Sequence, residues 1–165
     1  MKKLTAISAF SIMLLGTHVQ AQITEYAFAG NSNSRPKTSV GAAISSRAVN
    51  DFSKMYGSAA DVQWSQLKDK GFMCIFQLKG VDCRAYFNPN GTWHFTVAGY
   101  LEDHLPGNIR ETVHRNYYGY SISYAQEITM AMDKTVYMVQ LTRGNTLKIL
   151  RVTSEDLEEL EEWTN

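Results

Sequence analysis

One stretch constrains this chain more than any other. Phe72, Cys74, Phe76 and Leu78 alternate with Met73, Ile75 and Gln77, the period of a strand whose side chains point alternately to two faces. Lys79-Gly80 follows as a turn in which glycine can take positive φ, and a second strand runs from Val81 to Phe87. Asn88-Pro89-Asn90-Gly91 sets four turn-forming residues in a row, after which Thr92 to Tyr100 alternates again through Trp93, Phe95 and Val97. Turns this short join antiparallel neighbours and no others. With Val62 and Trp64 alternating upstream against Gln63 and Ser65, a meander of about four strands is expected.

A helix precedes it. Ser45 or Ser46 can cap a segment in which Ala48, Val49, Phe52, Met55 and Tyr56 form one apolar stripe before Gly57 ends it. A second cycle opens with Pro106 in the first turn of a helix whose stripe is Ile109, Val113 and Tyr117, and Gly119 stops it. Tyr120 to Met132, Val136 to Leu141 and Thr146 to Val152 then read as strands, with Arg143-Gly144-Asn145 as a hairpin turn. Met55-Tyr56-Gly57 lies over Tyr117-Tyr118-Gly119, and Phe76-Gln77-Leu78 over Val139-Gln140-Leu141, which suggests an internal repeat. The end of the chain departs from it. Thr153 or Ser154 can cap an acidic helix carrying Leu157, Leu160 and Trp163.

The expected fold class is α+β: two tandem repeats of a helix on an antiparallel meander, with an open concave sheet face and a C-terminal acidic helix. Residues 44–105 form the first repeat and 106–165 the second. Residues 22–43, with Gly30-Asn31-Ser32-Asn33-Ser34-Arg35-Pro36, read as a flexible linker. Residues 1–21 read as a signal peptide: Met1-Lys2-Lys3 is basic, the stretch to Leu15 is largely apolar, and Val19-Gln20-Ala21 offers small residues for a cut after Ala21. There is no cysteine near that junction for a lipid anchor, and no later segment has the roughly 18 apolar residues of a membrane span. A periplasmic or secreted protein, with no membrane insertion after cleavage, is the expectation.

Removing Lys2 and Lys3 with the signal leaves 14 basic against 16 acidic residues, not the basic surplus of a nucleic-acid binder. No catalytic motif is present: neither His-Glu-x-x-His, nor a phosphate loop, nor a Gly-x-Ser-x-Gly elbow. Glu111 and His114 share a helix face, but a metal needs further ligands, so no metal and no cofactor is expected. The chain is read as non-enzymatic.

If Lys79-Gly80 is a two-residue turn, one face carries Phe72, Cys74, Phe76, Leu78, Val81, Cys83, Ala85 and Phe87, the helix-covered core. Met73, Ile75, Arg84 and Tyr86 then lie on the open face; continued alternation adds His94 and Thr96, and the second repeat Met138, Gln140 and Lys148. A sheet face mixing Met, Ile, Tyr and Arg has the composition of a protein-binding surface. Cys74 and Cys83 would be diagonal neighbours on the core face. Both a disulfide, which export permits, and two buried thiols stay open.

The order of Phe52 and Tyr56, then Val62 and Trp64, the hairpin, Phe87-Asn88-Pro89-Asn90-Gly91-Thr92-Trp93, Leu105-Pro106 and Tyr118-Gly119-Tyr120 resembles the PepSY-like, or beta-lactamase-inhibitor-like (BLIP-like), exported bacterial proteins. The resemblance covers about residues 44 to 152. It implies helices packed on antiparallel sheets and, by likeness to the beta-lactamase inhibitor protein, a concave sheet face that binds a protein. The inhibitor's own contact residues have no counterparts placed on this chain. The cysteine pair and the acidic tail depart from the pattern. A protein partner is therefore expected; the alternative is a small-ligand or glycan-binding module with Trp93, Tyr100 and Tyr124 lining a cleft.

Overall fold

The computed structural model describes residues 44–132 and 134–164; the expected signal and linker lie outside them. Helix α1 (Ser46–Met55) is followed by β1 (Ala60–Gln66), β2 (Phe72–Leu78), β3 (Val81–Phe87) and β4 (Trp93–Tyr100). A 3-10 turn (Glu102–His104) leads to α2 (Gly107–Asn116), then β5 (Ser121–Met130), β6 (Lys134–Arg143), β7 (Thr146–Val152) and β8 (Leu157–Thr164). All eight strands form one antiparallel sheet in chain order. Each half is thus a helix followed by four strands, the β4–β5 ladder joining them through six pairs from Phe95↔Met130 to Tyr100↔Ala125. Among the described residues no helix is long and apolar enough to cross a membrane.

Local chemistry explains the elements. Lys79 and Gly80 both take positive φ, 51° and 81°, the twist that a two-residue hairpin between right-twisted strands requires. β2 and β3 pair from Phe72↔Phe87 to Leu78↔Val81. At the next turn a Cβ on Gly91 would run into the Ser45 hydroxyl and the Ala48 backbone, so this glycine lets the β3–β4 turn seat against the start of α1. Helix α1 buries Ala48 and Phe52, one turn apart, with Tyr56 half-buried a turn further on, while Val49 and Met55 stay exposed; its stripe is narrower than the sequence pattern suggests. Burying Phe52 contributes about 1.5–3 kcal/mol.

The last element differs from expectation: residues 157–164 are a strand, not an acidic helix. Leu157, Leu160 and Trp163 have helical spacing, but a strand here supplies β7 with hydrogen-bonding partners along its otherwise open edge. Thr153, expected to cap a helix, closes a turn: its hydroxyl accepts from the amides of Glu155 at 3.3 Å and Asp156 at 3.0 Å. Pairing then sets Leu157 beside Val152 and Trp163 beside Leu147.

Among the described residues, two separate cores lie on the helix side of the sheet. The first joins Ala48 and Phe52 to Phe72, Cys74, Phe76, Cys83, Ala85 and Phe87. The second joins Leu105, Ile109 and Val113 to Ile122, Ala125, Val139, Leu141, Leu150 and Val152.

Candidate functional site

On the face away from the helices, Met73 pairs with Tyr86 and Ile75 with Arg84. Following the ladders across the sheet continues this face through Phe95 and Val97 of β4, Gln126, Ile128 and Met130 of β5, Met138 and Gln140 of β6, and Ile149 and Arg151 of β7. The result is an apolar band crossing both halves. Tyr86 stacks on Phe95 with ring centroids 4.5 Å apart. Phe95, Val97, Ile128, Met138 and Ile149 are buried, whereas Met73, Ile75, Arg84, Gln140 and Arg151 are half-buried. Among the described residues no helix packs on this face.

Thr96 and Lys148 lie on the other side. A bulge between Tyr86 and Phe87 sets Phe95 opposite Tyr86 but Trp93 opposite Phe87. His94 is the extra residue, its ring 5.1 Å edge-on from Phe95, and beyond it Phe95 and Val97 turn away from the helices while Thr96 turns toward them. Thr96 Oγ1 accepts from the Trp93 indole at 3.0 Å and shares a 2.7 Å hydrogen bond with the Tyr56 hydroxyl. Lys148 is moved by a similar cause. The β6–β7 hairpin closes at Arg143↔Thr146, one residue tighter than a three-residue turn, so Ile149 rather than Lys148 pairs with Gln140.

Lys148 instead ties β7 to β8. Its Nζ lies 2.7 Å from Glu159 and 3.0 Å from Glu162, and 6.0 and 5.9 Å from the ring centres of Tyr117 and Tyr120. The Tyr117 hydroxyl donates to Glu159 at 3.1 Å. Hydrogen bonds to the two carboxylates raise the Lys148 pKa, and the bond from Lys148 lowers that of Glu159. Arg151 pairs with Glu158 at 2.7 Å. Much of the acidic tail is thus matched to cations of the neighbouring strand.

Cys74 and Cys83 are free, buried thiols. They sit diagonally, Cys74 opposite Ala85 and Cys83 opposite Phe76, the arrangement of a two-residue turn. Burial pushes Cys74 up to about 12 and, with help from Asp82 and Glu127, Cys83 to about 11. Thiols so rarely ionised are poor nucleophiles. His114 pairs with Glu102 at 2.7 Å and His104 with Asp103 at 2.9 Å; among the described residues no cluster of three or more potential ligands could hold a metal.

The aromatics expected to share a cleft are divided. Trp93 and Tyr100 face the helices, while Tyr124, paired with Gln140, lies on the opposite face. Sequence reasoning missed Glu127, which lies in the seam between the two cores. Its carboxylate accepts from Tyr100 at 3.1 Å and from Thr129 at 3.3 Å, and from Tyr137. Burial, and then Glu127, raise the Tyr100 pKa and push that of Tyr137 up to about 12. A carboxylate between Gln126 and Ile128 carries no motif; only the alternation, followed through the bulge, would have placed it.

Comparison with known proteins gives the fold. No family model matches the chain, and no curated protein sequence matches it. Solved structures do. A BLIP-like protein from Bacteroides fragilis is similar with a TM-score of 0.61 at 20% identity, over 76% of this chain and 91% of its own. A DUF2874 family protein from Bacteroides ovatus follows at 0.60 and 18%, over 75% and 89%. A protein of Bacteroides eggerthii described as a candidate periplasmic protein has 0.58 and 17%, over 74% and 90%. The chain has a BLIP-like fold.

Proposed function

We propose that this chain is an exported, non-enzymatic protein that binds, and through binding inhibits, another protein on the sheet face away from the helices. The observation that carries the reading is the half-buried β2–β3 end of the apolar band, Met73, Ile75 and Arg84, which no described helix covers; Tyr86 beside it, and Phe95, Val97, Ile128, Met138 and Ile149 further along the band, are buried. A partner would meet the band at this end, where Met73, Ile75 and Arg84 combine apolar surface with a guanidinium. The N-terminal sequence suits export, in keeping with the description of the B. eggerthii neighbour. Two halves that each run helix and then four strands support a tandem repeat of a PepSY-like unit.

The test is capture from periplasmic and secreted extracts on immobilised protein, comparing wild type with Ile75→Asp, Arg84→Glu and a control on the exposed end of α2, Arg115→Glu. A protein retained by wild type and Arg115→Glu, and lost from both face variants, supports the reading. Capture that ignores Ile75 and Arg84, or none, removes it.

A further inference from the structure

The helix side of the sheet is not covered evenly. α1 packs on the first core and α2 on the second, and the clusters share no residue. Along the seam, one row of side chains runs from Phe76 through Cys83, Ala98 and Glu127 to Tyr137. Two small residues stand side by side between large ones. Ala98 is part-exposed, although its strand is one of the two central strands of the sheet. Cys83 is itself buried in the first core, so the row is open only at Ala98, where part-exposed Glu127 forms one wall of the hollow.

The surrounding chemistry is specific. Tyr56, the residue that caps α1, reaches in to Thr96 at 2.7 Å, and Trp93 reaches the same oxygen at 3.0 Å. Tyr100 and Tyr137 hold the carboxylate from the far side. Every group bonded to Glu127 is a neutral hydroxyl, and among the described residues it has no cationic partner. Hydroxyl donors satisfy oxygen lone pairs but leave the formal charge uncompensated. A half-buried negative charge that only hydroxyls hold attracts a cation by Coulomb attraction.

The geometry points to this hollow as a binding site for an organic cation, an alkylammonium or guanidinium head set against Glu127 with its apolar stem over Ala98. It lies on the opposite side of the sheet from the protein-binding band, and the two readings stand or fall separately. The cation comes either from a free amine or from a lysine or arginine side chain of a polypeptide.

The test follows backbone amide NMR shifts of Thr96, Ala98 and Glu127 as n-butylammonium, n-butylguanidinium, Nα-acetyl-lysine methylamide or neutral n-butanol is added. Saturable shifts at millimolar cation are expected of probes so small, with none from butanol. Glu127→Gln keeps the shape and removes the charge, so it should weaken cation binding at least tenfold; Ala98→Leu fills the hollow and should block it. Tighter binding of the lysine amide than of butylammonium identifies a polypeptide source, and the reverse order a free amine. No saturable shift from any cation, or equal binding by Glu127→Gln, overturns the proposal, and Glu127→Gln decides alone if Ala98→Leu does not fold.

Discussion

The two halves solve one packing problem with different side chains. Under α1 the filling is aromatic: Phe52 meets Phe76 edge-on at 5.0 Å and Trp64 at 5.5 Å, and Trp64 meets Phe87 at 5.3 Å. Under α2 it is aliphatic, with leucine, isoleucine and valine in the buried positions and tyrosines around the margin. A helix on a four-stranded meander fixes which positions face inward, and many fillings of the right volume satisfy it. The outer strands differ too. β8 is held by Lys148 and Arg151 across to its glutamates, while β1 has no such charge pairs to β2 among the described residues and lies mostly exposed.

The largest effect should come from the aromatic core. Phe76→Ala is expected to cost about 3–5 kcal/mol, and Leu150→Ala about 2–5 kcal/mol, read as urea midpoints at constant m-value. If Phe76→Ala proved much the cheaper of the two, the first half would not depend on its rings.

Next comes the contrast between edges. Glu159 has a lowered pKa in the fold, so its share of stability is present above the ordinary carboxylate value of 4.5 and lost as pH falls from there through its folded value. Hydrogen exchange after brief acidification should show β8 amides losing protection before those of β1. Simultaneous loss, or β1 first, would mean that the ion pairs do not fasten β8.

The thiols, both in the first half, sharpen the comparison further. With values near 12 and 11, neither Cys74 nor Cys83 should alkylate at pH 8 in the folded protein, and both should on unfolding. Intact mass distinguishes this from a bridge, which would read two hydrogens lighter and take up no label without reductant. Smallest of all, Tyr118→Ser, at a side chain 92% exposed beyond α2, should leave stability within about 0.5 kcal/mol.

Much of the fold was legible because its signals are local. The alternation from Phe72 to Phe87 and the turn at Lys79-Gly80 specify a hairpin and its faces within sixteen residues, and the stripes of Phe52 and Val113 specify helices. The expected binding face was legible only as far as that hairpin. Met73, Ile75, Arg84 and Tyr86 share a face in the structure, and Met138 and Gln140 continue it. Thr96 and Lys148 do not, because a bulge at His94 and a turn shorter by one residue each exchange the faces downstream.

By itself, then, the sequence determined the order of helices and strands as far as Val152 and the sides of the β2–β3 hairpin, since period and turn chemistry act over a few residues. Tertiary structure alone decided three things: that the acidic tail pairs as a strand, that Lys148 joins it there, and that Glu127 stands in the seam between two cores. Each depends on which distant segment lies alongside. An open strand edge and a cation on the neighbouring strand outweigh local helical spacing, because unpaired backbone groups and charges find partners wherever the whole chain supplies them.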